Sequence, residues 1–253
     1  MRNATPAAPT PVAKPGTPPA ALLLLGVIHS DPLGYGRTRA FLSEYRPGLV
    51  LVELSPFGLA YRREHGSRLH REFLENLRTA AGAAGIDFKA ALKHPRITPI
   101  RRQISLPFEY RASAAYSAQT GAAVVPVDWS EFSARWVPTW ADLISSANLA
   151  ALLRLEDAPV PVSREYERAA RIIRGDRSAV EIWTGGKDVL RREREDHIAG
   201  RIRCLLDSHG LERAVYIGGW RHLAAGGGSR TVRDILGIGL PGCFLLDRGP
   251  LAS

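Results

Sequence analysis

Four acid–base or ligand-type side chains stand where apolar runs of this chain end. The run 22–25 leads into Gly-Val-Ile-His and presents His29, and the run 214–217 leads, one glycine later, into Gly-Trp-Arg-His and presents His222. The run 49–54 carries Glu53, and the run 122–127 stops at Asp128. A single polar residue at a strand end is usually a cap or a turn former. Four such residues at carboxyl ends of parallel strands would face one crevice, where open α/β sheets place their ligands. Two imidazoles and a carboxylate suit acid–base work near neutral pH, or a divalent ion such as Mn, Co or Zn with a position left for water. The expected metal set is therefore His29, Glu53 and His222. If the two motif strands are parallel neighbours, both imidazoles emerge on one edge, and Gly26 and Gly219 let the backbone turn tightly there.

Two further residues belong to the candidate chemistry. Arg194 falls inside the helical stripe Leu190, Ile198, Ile202, Leu205, and a guanidinium among core positions must find a carboxylate, a carbonyl or a bound anion. Its neighbours Glu193, Glu195 and Asp196 offer local charge, so a structural ion pair and a substrate contact are both open. Glu109 opens a helix after Pro107, where a carboxylate is favourable on dipole grounds alone. The expected catalytic group is Glu53, Glu109, Asp128 and Arg194. His65, His70, His94, His197 and His209 have no partner at ligand spacing and receive no role.

The elements that would position these groups alternate. The pattern predicts helices over about 35–45, 62–81, 108–119, 141–155, 163–174 and 188–209, a short helix near 232–236 and a last strand over 242–246. The basic stretch from 82 to 107 reads as irregular, and residues 226–228 as a glycine-rich turn. Strands alternating with helices give an α/β class with a mainly parallel or mixed central sheet flanked by helices. The helical middle, about 140–188, is expected as an insertion that forms a cap. The first 20 residues, rich in Pro, Ala and Thr, read as a disordered tail, leaving a single domain over 21–253.

Composition narrows the partners. The net charge of +9 comes from 34 basic residues, of which all but Lys14, Lys89, Lys93 and Lys187 are arginine, spread along the chain. The one local cluster, Lys89, Lys93, Arg96, Arg101 and Arg102, lacks interleaved aromatics and reads as a solvated loop, so no nucleic-acid partner is expected. No apolar stretch reaches the length of a membrane span, and the run at 21–28 is too short for a secretory leader. Cys204 and Cys243 lack metal spacing and read as buried free thiols in a reducing compartment, which implies a cytoplasmic location.

Taken in order, LLLLGVIHSDP, RPGLVLVEL, LPFEYRASAAYSAQTGAAVVPVD, EREDHIAGRI and AVYIGGWRHLAAG resemble the TraB/PrgY/GumN family and the related TIKI and erythromycin-esterase/ChaN-like superfamily. The resemblance spans roughly residues 21–246, with the helical middle unmatched. It implies an α/β domain whose paired GxxH histidines, His29 and His222, build a site with Glu53, Glu109, Asp128 and Arg194. In that superfamily TIKI proteins are metal-dependent peptidases, erythromycin esterases are hydrolases, ChaN binds haem and PrgY dampens a peptide signal. Trp129 stands where an arginine often follows the aspartate, and Trp220 and Arg221 make the second GxxH bulky. The expected function is a metal-dependent hydrolase of peptide or amide bonds. The alternative is a non-catalytic protein that sequesters a peptide, haem or small ligand in the same crevice.

Overall fold

Six strands order as β3-β2-β4-β1-β5-β6 in a computed structural model that describes residues 22–155, 160–176, 189–209, 213–224 and 230–251. The strands are β1 (Leu22–Val27), β2 (Leu49–Val52), β3 (Ala123–Pro126), β4 (Ala214–Gly219), β5 (Cys243–Leu245) and β6 (Gly249–Pro250). All pair in parallel except β6, which runs antiparallel to β5. The first and last motif strands are direct neighbours, with Leu22 opposite Ala214 and Val27 opposite Gly219. The fold is thus α/β with a mixed, mostly parallel sheet.

The central strands are apolar at every position because both faces of the sheet are covered. Leu24, Leu49, Leu51 and Tyr216 point into a core shared with α9 (Val162–Ile173), α10 (Val189–His209) and α11 (Val232–Leu236). Leu25, Val27, Val50, Val52, Val215 and Ile217 point the other way, against α1 (Gly34–Tyr45) and α5 (Phe108–Thr120). The alternation of neighbouring residues between two cores follows from the two-residue period of a strand.

A third core is built from helices alone. Leu69, Phe73 and Leu77 of α2 (Pro56–Ala84) pack with Ala91 of α3 (Phe88–Lys93), Ile97 and Ile104 of α4 (Ile97–Ile104), and Leu149 and Leu153 of α8 (Ser146–Leu153). The segment expected to be irregular from 82 to 107 therefore holds two short helices. Asp87 caps α3 by accepting from the amides of Lys89 and Ala90, a signal present in the sequence. Likewise α2 begins six residues before its expected start, with Ser55 Oγ accepting from the Gly58 amide at 2.8 Å and Pro56 in the first turn.

The expected cap over 140–188 is not one unit. The helix expected over 141–155 is broken into α7 (Trp140–Leu143) and α8, which join the helical core together with a preceding 3-10 turn (Val137–Thr139), whereas α9 returns to the sheet. Between β3 and that turn lies α6 (Ser130–Trp136). The tail expected at 1–20, the turn at 226–228 and part of the expected middle insertion lie outside the described residues. Cys243 is buried as expected, but Cys204 is exposed on α10, because the buried face of that helix is occupied by Ile198, Ile202 and Leu205.

Candidate functional site

Parallel pairing of β1 to β4 sends all four motif ends to one edge of the sheet. Glu53 follows β2 directly, with its amide donating to the Ile217 carbonyl at 2.9 Å. Asp128 lies two residues past β3, and His222 sits on the 3-10 turn Trp220–Leu223 that follows β4. His29 lies in the turn after β1. That turn is clamped from below: the Ile28 amide donates to Tyr166 Oη at 3.3 Å, and Tyr166 donates to Asp31 at 3.2 Å. Asp31 also accepts from the Leu33 amide and from Arg37.

Glu53 is the hub. Its Oε1 accepts from Arg194 Nη2 at 2.5 Å and lies 2.9 Å from His222 Nε2. Its Oε2 accepts from the Gly219 amide at 2.5 Å and lies 3.5 Å from His29 Nε2. Arg194 reaches on to Asp128, bonding through Nε and Nη2 at 2.8 Å each, and Asp128 also accepts from the Trp129 amide. The guanidinium lies over the Phe132 ring, 4.9 Å from its centroid. Its partners come from two other strands rather than from Glu193, Glu195 or Asp196 on its own helix.

The two histidines share a carboxylate but differ in exposure. The His29 side chain is 55% exposed, whereas that of His222 is 5% exposed. His29 Nδ1 bonds to Glu109 Oε1 at 2.6 Å, and Glu109 is buried with its Oε2 left without a partner among the described residues. His222 Nδ1 lies 2.8 Å from Glu195 Oε1, close but off the N–H direction. Glu195 in turn accepts from the Val232 amide at 2.7 Å. Sequence reasoning gave Glu195 no role of its own, although it stands on the same apolar stripe as Arg194, three residues before Ile198. The Tyr216 and His222 rings stand nearly perpendicular with centroids 6.1 Å apart, and the buried Tyr216 hydroxyl has no hydrogen-bond partner among the described residues.

Charge follows this geometry. Burial opposes ionisation of Glu53, but the positive His222 and Arg194 outweigh it and hold the carboxyl well below the usual carboxylate range. Burial opposes charge on His222 too, and Glu53 and Glu195 overcome it, raising the imidazole to about 9. Partial enclosure pulls His29 down, whereas Glu109 and Glu53 lift it well above its ordinary value. Arg194 loses hydration and still gains, held charged by Glu53 and Asp128.

Both motif glycines are explained by close approach, not by turn conformation. Neither has a positive φ; Gly219 sits at φ −54°, so the tight turn expected at these positions is not what selects glycine. A Cβ on Gly219 would stand 2.9 Å from His29 Nε2 and 3.4 Å from Glu53 Oε2. One on Gly26 would stand 3.1 Å from Trp220 Cα. Each motif's glycine makes room for the other motif. Gly219→Ala is therefore expected to keep the fold and displace the His29 ring, read as a changed His29 imidazole resonance in NMR spectra with the unfolding midpoint within a few degrees. An unchanged resonance would show that the ring is placed by other contacts.

The donor set does not fit a resident divalent ion. Oε1 of Glu53 already faces Arg194 and His222, and Oε2 accepts from the Gly219 amide, which leaves about one of the roughly four lone-pair sites of a carboxylate. A guanidinium shares the oxygen that a cation would need, and both His222 nitrogens face carboxylates. Among the described residues no group of three or more His, Cys, Asp or Glu is arranged to hold a metal. The shared-metal expectation for His29, Glu53 and His222 is thus corrected. The two imidazoles converge, and they converge on Glu53.

The fold and site define an α/β protein with a histidine–carboxylate–arginine cluster on the carboxyl edge of its sheet. No protein family, curated protein or solved structure was found to match the chain. No helix among the described residues is long and apolar enough to cross a membrane.

Proposed function

We propose that the protein is a hydrolase of ester or amide bonds, peptides included, that uses His29 as its general base. The observation that carries this reading is the half-exposed imidazole tied through Nδ1 to a buried carboxylate, Glu109, at 2.6 Å. Above its raised titration point the imidazole keeps its one proton on Nδ1, directed to Glu109, and Nε2 offers its lone pair to a water, so hydrolysis is expected to rise on the alkaline side of neutrality. As the water attacks the carbonyl, its proton passes to Nε2, and Glu109 with Glu53 stabilises the imidazolium that forms. The same proton then goes to the leaving alkoxide or amine. Arg194 has three of its five N–H donors committed to Glu53 and Asp128, and Nη1 is the group it can turn to a developing oxyanion. Asp128 and Glu53 act through Arg194, and His222 with Glu195 holds Glu53. The metal-dependent form of the reading loses its support with the donor set.

The reading also places the protein in a reducing compartment such as the cytoplasm, in keeping with two free cysteines. Turnover of p-nitrophenyl butyrate and of a peptide p-nitroanilide, before and after dialysis against EDTA, tests the whole proposal. Expected are hydrolysis insensitive to EDTA and a loss of about 100-fold or more in kcat/KM for His29→Ala. Stoichiometric capture of haem or a peptide without turnover would replace the hydrolase with a sequestering protein. Activity abolished by EDTA and restored by Mn, Co or Zn would reinstate the metal.

A further inference from the structure

Among the carboxylates around the site, most already have a nearby cation. Glu53 and Asp128 share Arg194, Glu195 faces His222, Asp31 is paired with Arg37 and Glu109 with His29. Two arginines near the His29 turn and its partner Glu109 remain outside this scheme. Arg102 Nη1 donates to the carbonyl of Ser30, the residue next to His29. Arg62 donates through Nη1 to the Gly58 carbonyl at 3.0 Å and through Nη2 to the Gln103 carbonyl at 3.1 Å. Among the described residues neither forms an ion pair with a carboxylate, and the buried Arg62 Nε has no partner at all. Both side chains are partly exposed.

Their placement is shared as well as their lack of a counter-ion. Arg62 lies on α2 and Arg102 on α4, and the Gln103 carbonyl that receives Arg62 belongs to the residue following Arg102. Arg62 stacks on Trp140 at 4.6 Å, which fixes its plane, and its charge acts on Glu109, the partner of His29. The charge of Arg102 acts on Asp31, two residues after His29. The two guanidiniums thus come from the helical layer, one acting on the carboxylate that holds His29 and the other bonded to the residue after it, whereas Arg194 reaches the strand ends from α10.

A partly buried guanidinium that bonds only to carbonyls has lost water without a carboxylate at ion-pair distance, and an arriving anion supplies one. The cost is visible in the free protein: burial lowers Arg62 to about 10, and burial together with the like charge of Arg101 lowers Arg102. Guanidinium groups present planar paired N–H donors that match a carboxylate.

We propose that Arg62 and Arg102 bind a carboxylate on the substrate, so that the protein acts on acidic esters or amides whose free carboxylate lies on the α2–α4 side of the scissile carbonyl. This rests on the hydrolase reading above, and the experiment separates the two. The wild-type protein is assayed on mono-p-nitrophenyl glutarate and on neutral p-nitrophenyl butyrate. Expected is a kcat/KM at least about tenfold higher for the glutarate ester, carried by KM, with the ratio falling toward one in Arg62→Met and Arg102→Met. Equal turnover of both esters overturns the proposal and leaves the hydrolase in place. If neither ester is hydrolysed, calorimetric titration with glutarate decides: binding that disappears in Arg102→Met upholds the carboxylate site, and absence of binding overturns it. Arg102→Lys, which keeps charge, serves as the control for folding and should retain part of the binding. Tighter binding of inorganic phosphate than of glutarate overturns the carboxylate assignment.

Discussion

Replacing Arg194 with methionine is expected to lower the unfolding free energy by about 3 kcal/mol, as measured by urea denaturation at neutral pH. The side chain is 21% exposed and bridges Glu53 and Asp128, which are each 8% exposed. Removing it leaves two largely buried carboxylates on neighbouring strand ends without their shared cation. Methionine keeps most of the bulk, so the loss reports charge rather than packing. Lysine should rescue poorly, because an ammonium is a point charge and cannot hold Asp128 through two nitrogens while reaching Glu53. Adding Asp128→Asn to Arg194→Met should recover part of the loss, since one stranded charge is then gone. A loss below about 1 kcal/mol would show that water reaches these carboxylates and compensates them.

Stability should also fall on the alkaline side, and His222 should be responsible. Its imidazolium is enclosed by Glu53 at the end of β2 and Glu195 on α10, with the Tyr216 ring beside it. The folded value of about 9 lies above the ordinary 6.5. A raised value means that the stabilisation is complete below the unfolded value and disappears as pH climbs through the folded one. The shift corresponds to about 3 kcal/mol, lost between pH 6.5 and 9. Glu53 has the opposite sign: its depressed value contributes stability above the ordinary carboxylate range, which is lost as pH falls below it. Maximal stability is thus expected on the weakly acidic side of neutrality. Thermal unfolding of wild type and His222→Gln across this range checks it. The alkaline fall should be distinctly shallower in the variant, while the part due to His29 persists in both. Equal slopes would mean that His222 is neutral in the folded protein.

These expectations rest on contacts of unequal legibility. Apolar runs of four to six residues ending on His29, Glu53, Asp128 and His222 carried the strand assignments, because strands covered on both faces need continuous apolar sequence. The same pattern placed these polar residues at strand ends. Helix α10 was legible from its stripe, and the need of Arg194 for a partner followed from the cost of burying a guanidinium alone. Helices α3 and α4 were obscured by their shortness, 6 and 8 residues, and by a basic composition interrupted by Pro95 and Pro99, although Ile97, Ile100 and Ile104 keep helical spacing. Their stability comes from packing Ala91, Ile97 and Ile104 into a core that other helices complete. The break between α7 and α8 had a local signal that the single expected helix overlooks, the N-cap Ser145, whose hydroxyl accepts from the Asn148 amide.

By itself, the sequence determined the α/β class, the four strand-end groups and the pairing requirement of Arg194, because period, burial and charge are local properties of the chain. Only the tertiary structure decided which groups meet. Placing β4 between β1 and β2 makes Glu53 the common partner of both histidines and of Arg194, and packing α10 against the strand ends brings Glu195 to His222. It also decided against the shared ion, since how many donors crowd one carboxylate depends on contacts spanning up to 166 residues of sequence. Such contacts are set by strand order and helix packing, for which no local pattern codes.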